Sequence, residues 1–287
     1  MRPRAVARGV ELFSARTPTL LPATHTNSYA LGEREVILVE PATPYDDERR
    51  DWLSWARSFP SQGRRIVAIA LTHHHVDHVG GADFFARELG LPIWAHEATA
   101  ARLPRLPIAR RLEEGESFVL DGEIPRRWTA IHTPGHAPGH LCFHEATQRI
   151  VVVGDMVASV GTILIDPTDG DMIAYLAQLE RLASLDADMA LPAHGDPIAD
   201  DGLGAPTPSA RFRFYIAHRL AREARVEKAL AAAGAVGATG EALVPVAYAD
   251  TPPVVWPLAR MSLEAHLIKL EREGRARRAG EGWVAAS

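Results

Sequence analysis

The chain has 287 residues, 47% hydrophobic and 23% charged, which suits a globular protein with a sizeable core and excludes a mainly disordered, collagenous or multi-pass membrane protein. A single cysteine, Cys142, excludes an intramolecular disulfide framework and a cysteine-rich zinc module. The net charge of −5 excludes a strongly basic surface overall, and the unusual figure is 13 histidines, nine of them between residues 73 and 144.

The start, Met1-Arg-Pro-Arg-Ala-Val-Ala-Arg8, leads into no apolar core of signal-peptide length, and no uninterrupted apolar stretch of membrane-spanning length follows. A cytoplasmic protein is the expectation. Glu35–Glu40, Arg65–Thr72, Trp128–Thr133, Leu141–His144 and Ile150–Gly154 read as strands, being β-branched or aliphatic runs bounded by Gly, Pro and charges. Between them 46–59, 80–89 and 169–185 carry apolar residues at helical spacing. In the last, Asp169 is the expected N-cap, with Ile173, Leu176, Leu179 and Leu182 as one buried stripe. Strands and helices mixed in one unit predict layered α+β or α/β architecture. The turn-forming stretch 200–209 predicts a boundary between a catalytic domain, 1–205, and a second domain, 206–287. The second part opens on a long helical pattern over 209–233, has another over 257–274, and ends in a small hairpin around 275–284. That succession predicts a compact winged helix.

The chemistry concentrates in Ala70-Leu-Thr-His-His-His-Val-Asp-His-Val-Gly-Gly81, where a buried strand runs into four histidines and an aspartate. At a strand's end the backbone is free to aim His73, His75, Asp77 and His78, and imidazole and carboxylate are the zinc ligands open to a protein with one cysteine. An expression tag would lie at a terminus and would not interrupt an apolar strand–helix junction. Three more apolar runs end in candidate ligands beside glycine or proline: His136, Asp155 and His194. His74, between two candidates, reads as structural and His132 as packing on its strand; His25, His96, His144 and His266 read as ordinary packing or surface residues. Cys142 reads as a buried thiol.

This pattern resembles the metallo-β-lactamase-fold hydrolases, whose His-x-His-x-Asp-His signature matches His73, His75, Asp77 and His78. The resemblance covers essentially the whole chain and implies an αββα sandwich. It also implies His73, His75 and His136 on a first metal, Asp77, His78 and His194 on a second, and Asp155 bridging. The cofactors implied are two zinc ions, with iron or manganese as alternatives, lying roughly 3.5–4 Å apart and sharing a nucleophilic hydroxide that Asp77 orients. His140 occupies a position shared by many relatives, and either support of a ligand or simple packing accounts for it.

Asp155 stands where the β-lactam-opening enzymes with a cysteine ligand carry that cysteine, so that subclass is excluded. The 39-residue gap from Asp155 to His194 leaves no room for the inserted domain of large RNA-processing and DNA-repair members. Tyr215-Ile-Ala-His-Arg-Leu-Ala-Arg-Glu223 and Leu263-Glu-Ala-His-Leu-Ile-Lys-Leu-Glu-Arg-Glu-Gly274 resemble segments of the β-lactamase-like protein 2 group, which closes in a winged helix. Its animal member is a single-strand endoribonuclease, although Ala137-Pro-Gly139 departs from that member's more polar loop. The resemblance therefore implies a dinuclear metallohydrolase acting on single-stranded RNA, or, in the manner of glyoxalase II, on a small ester, thioester or lactone. A metal-binding regulator without turnover is the third class, and the complete ligand set argues against it. Residues 207–287 carry 12 Lys/Arg against 8 Asp/Glu, while the preceding 206 carry 19 against 28. Arg275, Arg277 and Arg278 on the wing are then candidate phosphate contacts, with solvation of a packing domain as the alternative. Trp256 and Trp283 are expected in the core. No membrane partner is expected, and a homodimer is compatible with such a domain.

Overall fold

The structure, a computed structural model, describes residues 3–200, 202 and 204–286. Met1 and Arg2 of the arginine-bearing start, and Asp201 and Leu203 of the turn-forming stretch, lie outside the described residues. The chain clusters into two compact units. One comprises Met1–Thr133, Pro138–Thr162 and Leu185–Ser209, the other Pro134–Ala137, Ile163–Ser184 and Ala210–Ser287.

Among the described residues of the first unit are two sheets. The seven-stranded sheet runs in chain order through β1 (Arg4–Ala7), β2 (Val10–Arg16), β3 (His25–Leu31), β4 (Glu35–Val39), β5 (Arg65–Ala70), β6 (Ile93–Ala95) and β7 (Ile108–Arg111). The six-stranded sheet likewise runs through β8 (Ser117–Leu120), β9 (Arg126–His132), β10 (Leu141–Glu145), β11 (Ile150–Gly154), β12 (Met189–Pro192) and β13 (Ile198–Ala199). The pairs β4–β5, β5–β6, β6–β7 and β11–β12 are parallel. Each such pair needs a crossover, and α1 (Asp46–Ser58) supplies the one from β4 to β5.

Period-two alternation places the core. Val10, Leu12, Tyr29, Leu31, Ile37, Val39, Ala68 and Ala70 from one sheet meet Phe118, Trp128, Phe143, Val152 and Leu191 from the other. The opposite faces of the same strands, through Phe13, Ala30, Val36, Leu38 and Ile69, pack on Trp52, Trp55 and Phe59 of α1 and on Phe85. Strands buried on both faces read as continuous apolar runs, which is why Val36–Val39 shows no polar alternation. Trp52 lies 4.0 Å from Phe85 and donates its indole N–H to Ser28 Oγ at 2.9 Å, so its polar atom is satisfied inside the core. Phe85 sits on α3 (Ala82–Leu89), which follows the single turn α2 (Val76–Val79); α4 (Glu97–Arg102) comes after β6.

In the second unit, α5 spans Met172–Ala183 and its N-cap is Asp171, whose carboxylate accepts from the N–H groups of Ile173 and Ala174. This corrects Asp169. Leu179 and Leu182 of the expected stripe are buried, but Met172 and Tyr175 take the places of Ile173, which is exposed, and Leu176, which is half-buried. The spacing of three, four and three residues fits the helical period better once Tyr175 is counted as apolar. Helix α6 (Pro208–Ala232), the sequence-silent α7 (Gly240–Ala247) and α8 (Trp256–Arg272) enclose a core of Val226, Leu230, Leu243, Val244, Leu263, Leu267 and Leu270. The hairpin of β14 (Ala276–Ala279) and β15 (Gly282–Ala285) adds Trp283, buried as expected, and a bridge from Trp283 to Ala238 extends it. Trp256 is only half-buried, its indole N–H held by Thr251 O at 3.0 Å.

No helix among the described residues is long and apolar enough to cross a membrane.

Candidate metal centre

The candidate ligands of the first unit leave the carboxyl ends of adjacent strands. Strands β4, β5, β11 and β12 end within two residues of Glu40, Thr72, Asp155 and Ala193, beside the candidate ligands. His73 and His78 are fully buried; His75 and Asp77 are partly so, and Asp155 and His194 are 6% and 5% exposed. A single helical turn carries Asp77 and His78 onward from His75, so one loop delivers four groups.

Ring nitrogens meet in a defined sense. His73 Nε2 and His75 Nδ1 lie 3.0 Å apart, while His73 Nδ1 is engaged by Thr72 Oγ1 at 2.9 Å. His194 Nδ1 donates to the His25 carbonyl at 2.9 Å, leaving Nε2 to face Asp155 Oδ1 at 3.4 Å and Asp77 Oδ2 at 3.5 Å. His78 Nδ1 donates to Glu40 Oε2, and its Nε2 faces Asp155 Oδ2 at 3.5 Å and Asp77 Oδ2 at 3.8 Å. The donor atoms of Asp77, His78 and His194 all fall within 4.8 Å of one another.

His78 Nε2 is the atom that tests the centre. It is buried and has no hydrogen-bond partner, because the carboxylates around it stand too far off. An orphaned imidazole nitrogen facing two carboxylates suits a divalent cation, so the residues present fit a metal.

The charges agree. Burial works against a charged His78, yet Asp155, Asp77 and Glu40 outweigh it and hold its pKa well above the ordinary histidine value. For His194 burial is likewise overcome, chiefly by Asp155, and the pKa is raised. Burial pushes Asp155 up, but His194 and His78 hold it well below the usual carboxylate range. The pocket stabilises positive charge where a cation belongs.

The sequence reading missed Glu40. Its buried carboxylate accepts the Thr72 N–H at 2.6 Å through Oε1 and the His78 N–H through Oε2, fixing the tautomer that leaves Nε2 open. The signal was there, a carboxylate ending an apolar strand as Asp155 does. Its φ of +60° marks unfavourable backbone held at a functional position. The His25 carbonyl had no side-chain signal. His140 spans two partners: Nδ1 meets Thr133 Oγ1 at 2.7 Å, and Nε2 accepts the Asp155 backbone N–H at 3.1 Å. The first unit thus brings together His73, His75, Asp77, His78, Asp155 and His194, with His140 behind Asp155.

His136 belongs to the Pro134–Ala137 segment of the second unit. Its Nδ1 donates to the Leu164 carbonyl at 3.0 Å, which places the ring proton on Nδ1 and makes Nε2 the acceptor nitrogen. Of the other histidines, His132 stacks on His96 at 4.0 Å and contacts the Pro138 carbonyl through Nε2 at 2.8 Å, while His96 Nδ1 caps α4 at Ala98 N. Cys142 is buried.

Residues 21–194 match the metallo-β-lactamase superfamily, and residues 239–283 match the β-lactamase-associated winged helix domain. The chain belongs to the metallo-β-lactamase superfamily. As a member of it, the chain is a metallohydrolase whose fold implies divalent metal ions, and its C-terminal part is a winged helix, as expected. The chain is similar to a β-lactamase-like protein 2 homolog of Drosophila melanogaster, 27% identical, with 91% of this chain and 87% of that protein covered. It is 29% identical to the thioesterase pkgB of Emericella nidulans over 76% of this chain, spanning 58% of that longer protein. Among solved structures, a β-lactamase domain protein from Burkholderia ambifaria superposes with a TM-score of 0.81 at 21% identity, covering 99% of this chain and 93% of that one. A metallo-β-lactamase family protein from Thermus thermophilus gives 0.76 at 24%, covering 98% and 100%.

Proposed function

We propose that this superfamily member is a dinuclear zinc hydrolase of small acyl esters, with thioesters as the favoured class. The observation that supports the metal reading is the orphaned His78 Nε2 within a buried cluster of imidazoles and carboxylates. His73, His75 and His136 would hold one ion, Asp77, His78 and His194 the other, and Asp155 would reach both. Two such ions, when bound, supply Lewis acidity toward a carbonyl oxygen and bring the pKa of water toward neutrality. The chain's own work is positional: Thr72, Glu40 and the carbonyls of His25 and Leu164 orient the imidazoles. Asp77 carries the least buried carboxylate of the cluster, its side chain 15% exposed, so it is the group best placed to meet an incoming water and its proton.

The wing's charges support an acyl rather than a nucleic-acid substrate. Arg275 is engaged by Glu223, Glu227 and Glu273, and Arg278 by Glu264 at 2.9 Å while lying over the Trp283 ring. Of the three wing arginines, only Arg277 is exposed without a bond that competes with phosphate, among the described residues. Similarity to the thioesterase pkgB points the same way. Single-stranded RNA remains the second reading, carried by the likeness to the β-lactamase-like protein 2 homolog over 91% of the chain.

The test is a panel of thioesters, lactones, a β-lactam and single-stranded RNA, run with and without chelator and with Asp77→Asn. Thioester turnover lost on chelation, regained with zinc and lost in Asp77→Asn is the expected result. RNA cleavage with the same metal and Asp77 dependence, without thioester turnover, replaces the acyl reading by the nuclease one.

A further inference from the structure

The sequence singled out the α6 segment around Tyr215–Glu223 without giving its arginines a task. Arg219 is a charged side chain only 4% exposed. Its guanidinium donates to the Ile163 carbonyl, and its Cζ lies 5.8 Å from the centre of the Tyr175 ring. The next carbonyl along, that of Leu164, is the acceptor of His136 Nδ1–H at 3.0 Å. A second strut reaches the same segment: Gly135 O accepts the Asp171 N–H at 2.8 Å, and Gly135 packs so tightly on α5 that a Cβ there would sit 2.3 Å from Tyr175 N. Asp171 in turn is paired with Arg272 of α8. Both routes from His136 to the C-terminal helices therefore pass through residues 163–175, and Arg219 touches both, at the Ile163 carbonyl and the Tyr175 ring. All of these residues belong to the second unit.

We propose that Arg219 is a positioning residue for His136: by binding the Ile163 carbonyl it sets the orientation of the following Leu164 carbonyl, which fixes the imidazole tautomer and ring direction. Helix α6 then has a task in holding His136 whatever the substrate is. A carbonyl that accepts from the non-ligating nitrogen of a ligand histidine controls its basicity and aim, and disturbing such a partner typically costs roughly 10–100-fold in metal affinity. A buried guanidinium suits the role because its planar fork stays charged at every working pH and holds an acceptor in one direction. The proposal rests on the reading of His136 as a metal ligand.

The experiment titrates metal-free full-length protein with zinc against a chromophoric chelator and resolves the two binding steps, while thermal melting of the metal-free form follows folding. His136→Ala identifies the step that depends on His136. In Arg219→Met that same step is expected to weaken roughly 10–100-fold with the other unchanged, and Arg219→Lys, which keeps the charge but not the planar fork, is expected to regain part of the loss. Arg222→Met is the control, since Arg222 is also buried, lies on the same helix and binds Ala247 O and Asp250 instead. It is expected to lower the melting temperature and leave both zinc steps alone. Arg219→Gln, too short to span the same gap, carries the same expectation and is read in place of Arg219→Met should that variant not fold. Wild-type zinc binding in both steps for the Arg219 variants, or equal weakening by Arg222→Met, overturns the proposal. A His136→Ala protein with both steps intact overturns instead the ligand reading beneath it.

Discussion

Replacing Glu40 by glutamine removes one oxygen's charge and changes no volume, yet it should cost the protein a metal. The carboxylate accepts two N–H groups, from Thr72 and from His78. A carboxamide has one acceptor and one donor end. If its oxygen stays with Thr72, its NH2 faces His78 Nδ1, and the imidazole proton must move to Nε2, the atom facing Asp77 and Asp155. If the amide flips, its NH2 opposes the Thr72 N–H, and a buried donor is left unsatisfied. Either outcome is expected to weaken, by roughly 10–100-fold, the ion that Asp77, His78 and His194 would hold, the usual effect of losing the partner of a ligand histidine. That corresponds to about 1.4–2.7 kcal/mol of binding free energy. The assay is competitive zinc titration of metal-free Glu40→Gln protein beside wild type, with the His78→Ala variant marking the step concerned. Wild-type affinity at both steps in Glu40→Gln would refute the reasoning that Glu40 selects the ligating tautomer.

The metal-free protein should also show a pH signature. His78 and His194 have raised pKa values, so their contribution to stability is complete below the ordinary histidine pKa and disappears as pH rises through the folded values. Metal-free chemical denaturation midpoints should therefore fall with rising alkalinity, whereas zinc affinity should climb as the same protons leave; a midpoint that rises through this range contradicts the charges assigned to the cluster. Gly154 has φ +47°, and an added Cβ would lie 2.5 Å from His140 Nε2 and 2.9 Å from Thr72 Oγ1. Gly154→Ala should thus lose about 2–4 kcal/mol in urea unfolding, from strain and overpacking together. Asp171→Ala removes the α5 cap and the partner of Arg272, for an expected loss of about 1 kcal/mol by the same measurement.

Much of the centre was legible because a metal demands residue types that are rare in company. Four strand-end runs bearing His73–His78, His136, Asp155 and His194 stand out from the chain without any coordinates, and so does the family resemblance they carry. The winged helix followed from helical periodicity and a closing hairpin, though α7 passed unnoticed: it is short and interrupted by Pro245. The error over Asp169 has a local cause. Two aspartates two residues apart offer the same capping chemistry, and only the chain's exit from the preceding turn, where Asp171 N binds Gly135 O, selects the second.

By itself, then, the amino-acid sequence determined the residue types of the metal centre, the apolar runs that form the sheet strands, and the helical character of the C-terminal part. Local chemistry and periodicity suffice for these. The tertiary structure alone decided which atoms orient the candidate ligands. Glu40, the His25 and Leu164 carbonyls, and Arg219 lie 38, 169, 28 and 83 residues from the groups they govern, and two of the four are backbone atoms that no residue code announces. It also decided the fate of the wing arginines, a charge excess in the sequence that the fold pairs largely with its own glutamates. A count of charges has no distance in it, and only the fold supplies the geometry that turns like counts into ion pairs.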